Sequence, residues 1–276
     1  EWATPPSMGC AEWQAAPLVS PLRLQLAPDP PRFAISASLA GEPPESFCWL
    51  RNGVPLPSSD AVLSLQPTNL VLTDLRLLDG GEFQLMVSNR FGVSTSAVVQ
   101  ATIHYANAVA ANPTPPFSTW ATAATNLQDA IDAAPAGALV LVADGVYSTG
   151  GKPAPGENLT NRIAVTKPLI VQSVNGPETT IIQGAWDPAT NGPAAIRCAW
   201  LTNGAALKGF TLRGGATRAG SINPSTQLNG GGAFGLSTNA VLEGCHLLGN
   251  AAFNSGGGAC QLKLLNCILK ANTACG

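Results

Sequence analysis

Charge is scarce in this chain. Asp, Glu, Lys and Arg together make up 11% of its 276 residues, and the two histidines are His104 and His246. A nucleic-acid groove needs clustered Lys and Arg with aromatics between them. The nine basic residues after position 118 are instead scattered singly from Lys152 to Lys270, so no nucleic-acid partner is expected. Acids thin out further along the chain: between Asp187 and Gly276 the only one is Glu243. Neither paired carboxylates for glycoside cleavage nor an oxygen-rich cage for a cation can be assembled there. Every apolar run is too short to cross a bilayer, so no membrane span is expected. The seven cysteines are odd in number, and no two show the C-x2-C spacing of metal ligands. Most are expected to be small buried hydrophobes with free thiols. The chain begins at Glu1 without a signal-peptide pattern and stops at Gly276 inside a repeat, so both ends are expected to be cut.

Gly (29), Pro (23) and a 45% apolar share point to many strands and tight turns, hence an all-β protein. The net charge of −2 makes neither half a polyelectrolyte. Residues 1–21 read as a tail or linker. From Leu22 to His104 short apolar runs alternate with turn signals: Phe33, Ile35, Ala37 and Leu39 share one face, Gly41-Glu42-Pro43-Pro44 turns the chain, and Phe47 to Leu56 carries Trp49 and an Asn52-Gly53 hairpin. Asp79-Gly80-Gly81-Glu82-Phe83-Gln84-Leu85 follows, and a strand from Ser94 to Ile103 closes the unit. These residues resemble an immunoglobulin I-set-like domain, with Trp49 in place of the core tryptophan. The corner tyrosine is replaced by Phe83, and the two bridging-cysteine positions fall on Ala37 and Leu85. The resemblance implies a β-sandwich over 22–104, held without its disulfide by Trp49, Leu72, Phe83 and Leu85. Cys48 should face away from Trp49 as a partly exposed spectator thiol.

Residues 105–117, with Ala106 to Pro116 uncharged, read as an extended linker. Thr125-Asn126-Leu127-Gln128 has the form of a capping box and opens a short amphipathic helix over about 125–134, ended by Pro135 and Gly137. A helix with one apolar stripe just before a run of strands suits the open end of a stack, with Ala138 to Val142 as the first strand covered. His104 is expected at the sandwich boundary, and Asp144 in a turn.

The second half repeats itself. Leu207-Lys208-Gly209-Phe210-Thr211-Leu212 aligns with Leu242-Glu243-Gly244-Cys245-His246-Leu247 and with Leu264-Leu265-Asn266-Cys267-Ile268-Leu269. About 22 residues suits one coil of three short strands, and a polar insertion near Arg218 to Asn229 lengthens one step. Gly230-Gly231-Gly232-Ala233 recurs as Gly256-Gly257-Gly258-Ala259. Coils in register would stack Phe210, Cys245 and Cys267 in one inward column and Leu212, Leu247 and Leu269 in another, with Asn250 and Asn272 at equivalent turns, where an Asn tolerates αL geometry and can hydrogen-bond its neighbour above. These units resemble the right-handed parallel β-helix of the pectin-lyase-like superfamily, and more narrowly the Gly-Gly-Ala and Asn repeats of polymorphic outer-membrane and other bacterial surface proteins. The resemblance implies a truncated β-helix over 118–276.

In β-helix lyases and hydrolases that resemblance would imply clustered Asp and Glu, with an Arg or Lys as base, and the sequence offers no such cluster. No catalytic, cofactor-binding or metal-binding residue is assigned, and no cofactor is expected. His246 reads as a solvent-facing repeat residue, and Lys208, Arg213, Arg218, Lys263 and Lys270 as solubilising charges, with an anionic-glycan groove as the alternative. The expectation is a non-enzymatic structural or adhesion-type protein, extracellular or on a cell surface, with polysaccharide or a surface protein as partner. The alternative is a polysaccharide lyase or glycoside hydrolase whose catalytic coils lie beyond Gly276.

Overall fold

The computed structural model describes residues 16–28, 31–56, 62–72, 80–187, 189–220 and 225–274. Cys10, Cys275 and most of the expected N-terminal tail lie outside them. The fold is almost entirely β, and the chain divides into two compact units, one drawn from the first 101 residues and one built chiefly on residues from Thr102 onward.

The first unit is antiparallel. Ser46–Arg51 runs between Val54–Pro55 and Gly81–Asn89, and the latter also pairs with Gly92–Thr95 and Val99–Ala101. A second sheet has the order Arg23–Pro28, Pro31–Ser36, Asn69–Leu72, Val62–Gln66. Asn52 and Gly53, both at positive φ (51° and 76°), close the expected hairpin. Trp49 lies directly opposite Leu85, and both are buried with Phe83, Val87 and Ile35. The indole Nε1 of Trp49 donates to Gln66 O at 3.0 Å. The inward residue of Pro31–Ser36 is therefore Ile35, fully buried, whereas Ala37 is half-buried beyond the strand end. Cys48 is half-buried, on the opposite parity to Trp49. The side chain of Leu72 lies outside the described residues.

In the second unit the chain visits three parallel sheets in turn. The first holds Ile103–Ala106, Leu139–Val142, Ile170–Ser173, Ala206–Lys208, Val241–Glu243 and Lys263–Leu265. The second holds Gly145–Tyr147, Thr180–Gln183, Thr211–Arg213, His246–Leu248 and Ile268–Lys270. The third holds Thr160–Val165, Ile196–Leu201, Ala233–Gly235 and Ala259–Cys260, with Lys152–Pro153 antiparallel on its edge. Equivalent residues face one another. Val140, Val171, Leu207 and Leu242 form one fully buried column, and Ile182, Leu212 and Leu247 another that continues to Leu269. Each buried Leu or Ile contributes about 1.5–3 kcal/mol. Because residues 211, 246 and 268 are in register, Phe210, Cys245 and Cys267 occupy one column as well.

Two sequence expectations are corrected at the start of this unit. Ile103–Ala106, expected to end the sandwich and begin a linker, is a strand of the parallel stack, so Ala138 to Val142 contributes its second strand. The reason is composition: Ile103, Tyr105 and Ala106 are buried, and His104 satisfies its ring by donating from Nδ1 to Pro116 O at 2.6 Å. The helix spans Leu127–Ala133, and Asn126 is its N-cap, accepting from Gln128 N at 3.0 Å. Thr125 is not the cap because the buried Gln128 side chain bonds elsewhere in the stack. Leu127, Ala130 and Ile131 turn inward to the same core as Val140 and Ile163.

The repeated turns explain the glycine triplets. Gly230 and Gly256 both take φ +67°, open to few L residues. A Cβ on Gly231 or Gly257 would overlap the backbone of Ala251 or Thr273 on the neighbouring turn, and one on Gly232 would meet Gly258 O and Asn250. The αL position beside the asparagines falls one residue earlier than expected, on Gly249 (60°) and Ala271 (56°). Asn250 is thereby freed to bond between coils: its Oδ1 accepts from Gly215 N (2.8 Å), and its Nδ2 donates to Leu212 O and to Asn272 Oδ1 (both 3.0 Å).

The insertion is tied down by a buried ion pair. Arg197, fully buried, lies 3.5 Å from Glu157 through Nη1, donates to Gly230 O, Asn161 Oδ1, Thr226 O and Asn229 O, and sits over the Phe234 ring at 5.1 Å. Burial pulls its guanidinium down to about 10, with Glu157 opposing the shift. Gln227, on the short 3-10 turn Ser225–Leu228, accepts from Asn158 N and Leu159 N at 2.8 and 2.9 Å.

Candidate binding pocket

Three consecutive turns leave the first parallel sheet at the same level of the coil. Register places Asn107 beside Ala143 and Val174, and Asp144 beside Asn175. Together with Trp120 these residues line a concave pocket of about 330 Å³. Trp120 is half-buried on a short 3-10 turn, Trp120–Thr122, capped by reciprocal bonds between Thr119 and Thr122. Its ring rests on the fully buried Tyr105, with centroids 4.6 Å apart and planes inclined by 58°. One polar atom of the indole, Nε1, is shielded and meets no protein acceptor.

Asn175 fixes the opposite wall. Its Nδ2 donates to both carboxylate oxygens of Asp144, at 2.8 and 2.9 Å, while both residues stay exposed. The carboxylate keeps lone pairs for outside donors. An indole, a carboxylate held by an amide and side-chain amides around one concavity suit a small ring with an apolar face and hydroxyl edges. Sequence reasoning placed Asp144 in a turn and passed over Trp120 and Asn175. The available signal was the shared position of Asp144 and Asn175 after successive strands.

The other sequence candidates do not converge on this pocket. His246 stands in register with Thr211 and Ile268, as expected, half-buried with Nδ1 3.6 Å from Glu178 Oε1. Lys208 pairs with Glu243 at 2.8 Å, Arg213 donates to Gln183 Oε1 at 2.8 Å, and Arg218 donates to Asn158 O at 3.4 Å. Lys208 and Lys263 belong to the first parallel sheet and Arg213 and Lys270 to the second, so these cations are not gathered in one groove. Among the described residues no three His, Cys, Asp or Glu side chains are placed to share a metal ion.

Comparison with known proteins adds little. No family model and no curated protein matches the chain. Several solved structures are similar in part. Among them, Titin M4 in a trigonal form has a TM-score of 0.24 and 21% identity over 31% of this chain and 95% of its own. A rhamnogalacturonan lyase has a TM-score of 0.33 and 14% identity over 63% of this chain and 51% of its own. At such scores neither likeness carries an argument about fold or activity. No helix of the described residues is long and apolar enough to cross a membrane.

Proposed function

We propose that the chain is a non-enzymatic secreted or cell-surface protein, in which an immunoglobulin-like sandwich ending at Ala101 serves as spacer and a right-handed parallel β-helix from Thr102 onward serves as a rigid rod that presents a sugar-binding pocket. The parallel sheets and their in-register columns support the rod, since stacked coils share one continuous apolar core. The antiparallel pairing around the buried Trp49 supports the sandwich.

One observation carries the binding role: Trp120, backed by Tyr105, stands beside the Asp144–Asn175 pair in a preformed concavity. Trp120 takes the apolar face of a sugar ring, and Asp144 accepts from hydroxyls. A glycan-array screen of the chain, followed by calorimetry on hits, tests this. The reading expects binding that weakens at least tenfold in Trp120→Ala and Asp144→Ala, whereas equal binding by both variants, or no hit at all, would refute it.

A further inference from the structure

Cys245 and Cys267 are free thiols stacked on successive coils. Each is held the same way. Cys245 Sγ donates to Glu243 O at 3.4 Å, two residues back, and to Leu207 O on the preceding coil at 3.5 Å. Cys267 Sγ donates to Leu265 O at 3.3 Å and to Leu242 O at 3.5 Å. Equivalent tethers thus repeat from one coil to the next, where the strand spacing is about 4.8 Å. That arrangement opposes a disulfide, which needs converging Cβ atoms about 3.5–4.5 Å apart. It matches a metal ion between two thiolates, because two bonds of about 2.3 Å in line span about 4.6 Å.

The surroundings narrow the choice of ion. Phe210, fully buried, occupies the next level of the column, and the core around it is apolar. With no third His, Cys, Asp or Glu placed to join them among the described residues, the two sulfurs offer two-coordinate binding, unsuited to zinc or to hard cations. We propose that Cys245 and Cys267 form a dithiolate site for one soft, two-coordinate divalent cation of the mercury(II) class. With mercury(II), two S–H bonds are replaced by two S–Hg bonds, two protons leave and no oxidation state changes. The resulting unit is neutral, as a dry core requires.

Cys267 is half-buried and Cys245 fully buried.

The test is titration of the whole chain with mercury(II) in excess monothiol, read by native mass spectrometry and by the ultraviolet band of mercury thiolates. The expected result is one ion retained per chain, lost in Cys267→Ser and in Cys245→Ala and kept in Cys48→Ser. Because Cys245→Ala alters the core, Cys267→Ser decides if that variant fails to fold. Undiminished retention in Cys267→Ser, absence of retention in the parent chain, or a parent mass two hydrogens short from a Cys245–Cys267 disulfide would each overturn the proposal.

Discussion

Gln128 hydrogen-bonds the backbone of Ala164 as a neighbouring strand would: its Oε1 accepts from Ala164 N at 2.7 Å and its Nε2 donates to Ala164 O at 3.2 Å. The strand Thr160–Val165 is the first parallel member of the third sheet, and Lys152–Pro153 covers its free edge only at residues 160 and 161. A single helical side chain closes the edge farther along, where unpaired backbone groups would otherwise be buried.

Gln128→Ala strips both bonds, together with the one Nε2 gives to Asp132 Oδ1 at 2.8 Å, and leaves a buried N–H and C=O unmatched. It should cost about 2–4 kcal/mol in denaturant unfolding. Gln128→Glu keeps the acceptor but sets a buried carboxylate against Asp132 and the Ala164 carbonyl, so it should cost at least as much as Gln128→Ala. A cost below that of an ordinary surface substitution would deny the helix its edge-covering role.

Asn250 carries a heavier load, with bonds to Gly215, Leu212 and Asn272. Asn250→Ala is expected to destabilise by about 3 kcal/mol, through the unsatisfied Gly215 N–H and Leu212 carbonyl. Asn272→Ala should cost less, since Asn272 is only half-buried. Thermal unfolding of the two variants checks the order.

Two glycines of different duty should respond differently. Gly249 takes φ +60° with open space where a Cβ would stand, so Gly249→Asn is expected to cost under about 1 kcal/mol. A Cβ on Gly231 overlaps the backbone of Ala251, so Gly231→Ala should destabilise by several times as much, on the order of 3 kcal/mol or more. Similar costs for both, measured by chemical denaturation, would contradict the close turn-to-turn packing.

The thiol pair gives a pH signature. Alkylation of Cys267 by iodoacetamide should rise with pH at a midpoint below that of an ordinary thiol near 9, and Cys245→Ala should move that midpoint upward. The linked stability has a definite sign. A thiol depressed in the fold contributes stability present above pH 9 and lost as pH falls through its lowered value. Cys245, raised by burial, contributes stability below pH 9 that is lost above it. The pair alone therefore favours the fold most near pH 9.

Arg197→Met abandons Glu157 in a buried site and should cost about 3–5 kcal/mol. Adding Glu157→Gln removes the stranded charge and should recover part of that loss. Urea unfolding of the single and double variants measures the coupling; additive costs would show that the two residues do not act as a pair.

Much of the stack was legible because its signal repeats. The spacings among Leu207, Leu242 and Leu264 give the register that the strands adopt, and Asn250 and Asn272 stand at matching turns as expected. The start of the stack was hidden because Ile103–Ala106 belongs to no repeat, and the Pro-rich segment after it looks like a linker while supplying Pro116 to His104. The Arg197–Glu157 pair joins residues 40 apart through an insertion, a contact that no local pattern encodes. The pocket escaped notice for a similar reason. Its Trp120 comes from that same non-repeating segment, and Asp144 and Asn175 become neighbours only once the coils are stacked.

The central claim is that successive coils of this chain lie in register. A crystal structure of the chain tests it most directly. The account predicts the Cα atoms of Phe210, Cys245 and Cys267 in one column, about 4.8 Å apart at each step. A one-residue slip, which would turn either cysteine to the opposite face of its sheet, would contradict it.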